Sequence, residues 1–334
     1  MDSSQILQMN IMQTTTTPAL PTSSASVKNL PVNLFGSVMG IAGLALAWRG
    51  AANLFGSGTL VADGVGILSL LVFAVLAVGY LSKLAAFPDA VRAEFAHPVA
   101  GNFFGTIAIA VLLLSSVVAP WSAQLQKLVW TVGSVATLVL GYVVVSRVLQ
   151  GNMAPANVVP AWLIPGVASL DIAVTGGAWG HEMNMIALGI GTAIAIVFYV
   201  MIFSRLVHGD PLPTGMLPSL MVMIAPFEVG FLAYVNVTHH VDMFAAMLFY
   251  FGLFMFLVLA PRVFRRSVPF GPAWWAISFP IAALVNAAIK YAAVADSAGV
   301  VVLAGVLLAF LTVTIAVLLV RTLYSLYTGK LLAG

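Results

Sequence analysis

The chain has 334 residues, 62% of them hydrophobic and 7% charged, with a formal net charge of +3 and a mean hydropathy of +1.09. A soluble domain carries roughly 25% charged residues to cover its surface, and single cores stop growing beyond about 250–300 residues, so a water-soluble globule is excluded. Cysteine is absent, which removes disulfides, thiolate nucleophiles and thiolate metal sites, and no basic stripe with interleaved aromatics points to nucleic acid.

Residues 1–28 are polar, rich in Ser, Thr, Gln and Pro, and lack the basic start, short apolar run and small-residue cleavage site of a secretory signal. They suggest a disordered cytoplasmic tail at 1–29, followed by a membrane domain at 30–327 and a short cytoplasmic tail at 328–334. A helix needs about 20 residues to cross a hydrocarbon core of ~30 Å. Ten stretches qualify: 31–49, 65–86, 98–119, 124–147, 159–178, 182–206, 213–235, 241–261, 272–294 and 299–323. The fifth is the most interrupted, by Pro160, Pro165, Asp171, Gly176 and Gly177. Continuous apolar runs, rather than alternating ten-residue ones, exclude a β-barrel.

With both termini in the cytoplasm, Lys28, Lys83, Arg92, Arg147, Arg205, Arg262, Arg265, Arg266, Arg321 and Lys330 fall on the cytoplasmic side. Only Arg49, Lys127 and Lys290 fall on the other. That bias is the one the insertion machinery reads over short loops, and dropping any span would swap every later loop and spoil it. Trp48, Trp121, Trp162, Trp179, Trp274 and Trp275 lie near span ends, where indoles favour the interface, whereas Trp130 lies deeper. The expected location is the cytoplasmic (inner) membrane, in multi-pass form.

The odd spans differ from the even ones. The first and third are entered through Pro31 and Pro98, and the fifth, seventh and ninth contain Pro165, Pro218, Pro226 and Pro280. Proline removes a backbone donor and bends a helix, which a membrane tolerates where protein or a wet cavity answers the freed carbonyl. Pro165, Pro226 and Pro280 are therefore the expected helix bends. The odd spans also carry Asp171, Glu228 and Asn286, and the first has Gly36, Gly40 and Gly43 on one face, a spacing that permits close helix contact. The expected fold is all-α: ten helices in five hairpins, with five bent odd helices around a pore and five even helices outside.

Intramembrane carboxyls are costly and mark pathways by default. Asp171 and Glu228 are the acidic candidates, either structural or handling substrate or protons. His239, His240 and Asp242, with His181 and Glu182, sit in wet loops without metalloenzyme spacing. Neither a metal nor a cofactor is expected, and no nucleotide-binding or nucleophile-elbow motif occurs. Scattered polar groups do not make an enzyme.

Four segments, in order and at the matching spans, carry a resemblance. They are Glu94-Phe95-Ala96-His97-Pro98-Val99 with Asn102-Phe103-Phe104, Pro160-Ala161-Trp162-Leu163-Ile164-Pro165, Leu217-Pro218-Ser219 with Ala225-Pro226, and Trp274-Trp275-Ala276-Ile277-Ser278-Phe279-Pro280. Over about Leu30 to Leu326 the chain resembles the tellurite-resistance/dicarboxylate transporter family, which includes bacterial TehA proteins, yeast-type malate permeases and plant slow anion channels. The resemblance implies ten helices with cytoplasmic termini, a homotrimer with one pore per subunit, and passage of small inorganic or organic anions. The family's pore-blocking phenylalanine carries over onto Phe279. Family arginine clusters at pore mouths do not map onto particular residues, and Asp171 departs from the mostly neutral fifth helix of an anion channel. The leading expectation is a passive anion channel or uniporter gated by Phe279. The alternative is a proton-coupled carrier of C4-dicarboxylates such as malate, or of tellurite- or sulfite-like oxyanions, with Glu228 titrating.

Overall fold

Long apolar stretches dictate helices, because a backbone facing lipid must satisfy its own hydrogen bonds. The computed structural model describes residues 26–151 and 153–333. Its helices are α1 (Phe35–Phe55), α2 (Leu60–Ala86), α3 (Pro88–Ala96), α4 (Gly105–Val118), α5 (Ala123–Leu149), α6 (Ile164–Thr175), α7 (His181–His208), α8 (Ala225–Thr238), α9 (Met243–Val263), α10 (Ser278–Ala292) and α11 (Ala298–Tyr327). Six of them continue directly from 3-10 segments: α1 from Val32–Leu34, α4 from Ala100–Phe104, α6 from Pro160–Leu163, α7 from Ala178–Gly180, α8 from Thr214–Ile224 and α10 from Pro272–Ile277.

The chain is an all-α polytopic membrane protein. Among the described residues, nine helical stretches are long and apolar enough to cross a bilayer, and the fifth expected span, Pro160–Thr175, is shorter. Its shortness follows from the prolines that open it and from Gly176, which ends α6 in an extended conformation. The second expected span starts earlier than its apolar run, at Leu60, because the Asp63 carboxylate is answered by Arg49 at 2.7 Å. Helix α3 lies between expected spans; Pro88 opens it, where a missing N–H costs nothing. Residues 1–25, most of the expected first tail, lie outside the described residues.

Burial separates two kinds of helix. In the most apolar stretches of α1, α4, α8 and α10 with their 3-10 leads, 67–78% of residues are buried, against 17–33% in α2, α5, α7, α9 and α11. Every residue from Ile164 to Ala173 of α6 is buried as well. Helix α1 packs on α4, α4 on α6, α6 on α8, α8 on α10, and α10 on α1.

The closest of these contacts is written in glycine. A Cβ on Gly40 would collide with the Ser278 side chain, and one on Gly43 would lie 2.7 Å from the Ala282 Cβ. Two side chains of α10 bond across the seam: Ser278 Oγ donates to Gly36 O (3.1 Å) and Asn286 Nδ2 to Gly43 O (2.9 Å). Asn236 similarly sews α8 to α6, donating to Ala173 O (2.7 Å) and Gly176 O (2.8 Å). Trp130, too deep for an interfacial anchor, ties α5 to α6 by donating to Ile172 O at 3.0 Å.

Candidate functional site

Phe279 is the second residue of α10, immediately after the 3-10 turn Pro272–Ile277, and it is buried. It borders a small cavity of about 40 Å³ to which all five buried helices or their 3-10 leads contribute, through Met39, Phe103, Val167, Val222 and Phe279 among others. Asn33 and Thr106 are the polar side chains of this otherwise apolar lining. Thr106 spends its hydroxyl on Phe103 O at 2.6 Å. One liquid water occupies about 30 Å³ and needs polar partners to be held, so a space of this size and chemistry cannot hydrate an ion.

A second cavity, about 640 Å³, lies further along α10 and is lined by Gly50, Asn53, Leu54, Leu232, Asn286, Ile289, Lys290 and Ala293. Asn286 is two turns beyond Phe279 and Lys290 another turn, roughly 10 and 16 Å along the axis at 1.5 Å per residue. Lys290 makes no ion pair among the described residues. A tight apolar cavity at one end and a wide, polar, positively charged one at the other thus share α1, α8 and α10 as walls.

The expected bends take a different form. Pro165 and Pro226 are the second residues of α6 and α8, and Pro280 is the third of α10. All three fall within four residues of the change from 3-10 to α geometry, rather than kinking a continuous α-helix. Each proline therefore withholds an N–H from the 3-10 lead rather than breaking a bond in the middle of the α segment. The lead into α8, eleven residues of 3-10 helix from Thr214 to Ile224, is long for that conformation.

Neither acidic candidate borders either cavity. Glu228 is fully buried, and a Cβ on Gly252 of α9 would collide with its carboxyl, so Gly252 leaves the space that Glu228 fills. Asp171 is buried in α6. Asp171 Oδ2 and both Glu228 carboxyl oxygens are buried without a hydrogen-bond partner among the described residues. In the loop before α9, Asp242 accepts from Tyr234 Oη (2.6 Å) and Ala245 N (2.9 Å), and these bonds hold its carboxyl below the usual range. His239 closes α8 in a left-handed conformation with φ 60°. No group of three or more His, Cys, Asp or Glu close enough to hold a metal occurs among the described residues.

The segment around Glu94 anchors the start of α1. Glu94 accepts from Val32 N (2.8 Å), Tyr80 Oη (2.9 Å) and Lys83 Nζ (2.6 Å), and Lys83 also donates to Leu30 O (2.8 Å). His97 Nδ1 accepts from Val99 N and Ala100 N, both at 3.1 Å, fixing the lead into α4. Sequence reasoning singled out Glu94 and His97 within a motif and Asn286 as an awkward polar residue. It placed Lys290 only as a charge toward the outer end of the ninth span, and Asn53 and Asn236 carried no signal.

A polytopic helical membrane protein whose buried helices converge on a small apolar cavity has the architecture of a channel or transporter. The chain belongs to the SLAC1 family, described as voltage-dependent anion channel, whose model matches residues 29–323. It is 28% identical over 311 residues to a protein named tellurite resistance protein TehA homolog from Haemophilus influenzae, covering 90% of this chain and 92% of that one. It is 27% identical over 303 residues to the S-type anion channel SLAH3 of Arabidopsis thaliana, covering 88% of this chain and 48% of the plant protein. Similarity also extends to the guard cell S-type anion channel SLAC1 of the same plant, 25% identical over 315 residues, covering 90% of this chain and 57% of the plant protein.

Proposed function

We propose that the chain is a passive anion channel, or uniporter, whose closed path is plugged by Phe279. The observation that carries this is the cavity bordered by Phe279, to which all five buried helices contribute. Membership of an anion-channel family supports the same reading. The cyclic packing of α1, α4, α6, α8 and α10 supports an inner ring, with α2, α5, α7, α9 and α11 as its sheath. An anion would leave the wide vestibule at Lys290, pass Asn286 and Gly43, and stop at the ring of Phe279. The ring blocks twice over, by filling volume and by leaving too little water to solvate a charge.

Ten crossings belong to this proposal. The turn Val27–Asn29 lies against the turn Lys330–Leu332, with Ser26 N donating to Leu332 O (3.2 Å) and Asn29 Nδ2 to the same oxygen (3.0 Å). Two ends on one face require an even number of crossings, and Pro160–Thr175 supplies the tenth. Its twelve α residues and four 3-10 residues span roughly 26 Å at 1.5 and 2.0 Å per residue, enough where protein rather than lipid surrounds the helix. The basic bias supports a cytoplasmic position for those ends. A cysteine at Arg265 should react with an impermeant maleimide only from the cytoplasmic side, and one at Ser57 only from outside; labelling Arg265→Cys in intact cells would reverse the orientation. Each subunit holds a complete cavity of its own, in keeping with one pore per subunit of a homotrimer.

Proteoliposome efflux tests the function. With valinomycin carrying the balancing potassium, chloride and nitrate should leave without any imposed pH gradient; efflux only when protons move would sink a passive channel. Lys290→Gln should cut flux roughly two- to fivefold at low salt, the effect fading toward 1 M salt as the Debye length falls to about 3 Å. An unchanged flux at low salt would remove Lys290 from the path. Glu228 packs against α9 rather than bordering either cavity. Glu228→Gln should therefore leave the pH profile of flux as it is, whereas a proton-coupling role requires that profile to flatten.

A further inference from the structure

Outside the proposed pore, the most developed concave feature is an apolar groove of about 390 Å³ between α2 and α11, floored by the two terminal turns. Leu30, Leu34, Val75, Leu319, Leu323 and Trp275 are among its walls. Val75 is 72% and Leu323 61% exposed, so the groove opens outward to where lipid lies. On α2 it runs from Gly79 to Leu71, eight residues, or roughly 12 Å at 1.5 Å per residue. Its volume lies in the ~300–1,000 Å³ range of small-molecule clefts.

Two features decide the occupant. The turns Val27–Asn29 and Lys330–Leu332, which close one end, each carry an exposed lysine, Lys28 and Lys330, and neither carries an acidic residue. A slot lined by leucine and valine and closed by two turns that each carry an exposed lysine matches an acyl chain joined to an anionic head group. Trp275 is the second feature. It borders this groove and also the cavity at Phe279, four residues further on. Its indole Nε1 donates to Thr322 Oγ1 of α11 (2.9 Å), and its carbonyl accepts from Ser278 Oγ (2.7 Å). The 3-10 turn leading to Phe279 is thus held between lipid and the proposed pore.

We propose that this groove binds one chain of an anionic phospholipid, with its head group on Lys28 and Lys330, and that occupancy acts on the Phe279 segment through Trp275. The binding stands on the groove alone, and the effect on flux rests on the reading of Phe279 as the plug. The absence of cysteine allows a clean test. Val75→Cys labelled with bimane reports from the groove, and Val139→Cys, 57% exposed on α5, serves as a lipid-facing control. In bilayers of phosphatidylcholine, brominated phosphatidylglycerol should quench the Val75 label at a roughly five-fold lower mole fraction than brominated phosphatidylcholine, the weight of about one lysine near an anionic surface. The control should show no preference, and Lys28→Gln with Lys330→Gln should abolish the preference at Val75. Chloride efflux should differ between bilayers with and without phosphatidylglycerol, and the double variant should erase that difference. Equal quenching by the two lipids at Val75 overturns the site. So does a Val75 label shielded from both lipids, which assigns the groove to a second copy of the chain. Preferential quenching with efflux indifferent to phosphatidylglycerol overturns the action on Phe279 while leaving the pore reading untouched.

Discussion

Phe279→Ala is expected to raise chloride conductance at least roughly tenfold, the equivalent of taking about 1.4 kcal/mol from the permeation barrier. The variant should purify as an assembled protein, because the ring borders a cavity rather than filling a packed seam. Phe279→Leu should give a smaller rise, since leucine keeps an apolar side chain in the constriction. The location of Phe279 would let a plug at this position move. Ile277 is the last residue of a 3-10 segment and Ser278 the first of α10, and Pro280 lacks the N–H that would tie it to the preceding turn. The residue before a proline is also pushed away from ideal helical geometry, which concentrates conformational play at the ring. A phenylalanine serving only the core would behave in the opposite sense. Its truncation costs ~3–5 kcal/mol in packed soluble proteins, and flux would fall with folded yield. Single-channel recording of both variants separates the two outcomes.

The second large effect is structural. Gly40→Val should abolish assembly, while Gly56→Val, at a site with open space around it, should be milder despite its left-handed backbone at φ 66°. At Gly40 a side chain would drive into Ser278 and toward Ile315 Cδ1 at 3.0 Å. Overpacking typically costs about 1–3 kcal/mol, and here it would also pry apart the seam bonded by Ser278 and Asn286. Detergent-solubilised yield on size exclusion is the measurement. A monodisperse Gly40→Val protein at wild-type yield would mean that α1 and α10 need no close approach.

Much of this was legible in the sequence because lipid makes helices obligatory and their apolar length countable. The first span was placed at 31–49, and Val32–Phe55 is observed; the ninth was placed at 272–294, and Pro272–Ala292 is observed. Spacing alone revealed that Gly36, Gly40 and Gly43 share a face, and that face does meet α10. Helix type was not legible. Prolines announced a disturbance, but whether it becomes a kink or a 3-10 lead depends on where the α segment begins, and that is set by packing of neighbours such as Thr214–Ile224 against Pro272–Ile277. Partners across helices were equally hidden. Nothing near Glu94 in sequence shows that it will bind Val32, Tyr80 and Lys83 together. Lys290 was legible only as a charge toward the outer end of the ninth span, whereas its place in the wide cavity comes from the crossing of α1, α8 and α10.

Passive anion conduction is tested most directly by reversal potential. The Phe279→Ala protein in a planar bilayer, with a tenfold chloride gradient and equal pH on both sides, should reverse near the chloride equilibrium potential, about 59 mV from zero for a monovalent ion. Adding a pH gradient should leave that potential in place. A reversal potential that follows the pH gradient, or one that sits at the cation's equilibrium potential, would contradict a passive anion path through the five buried helices.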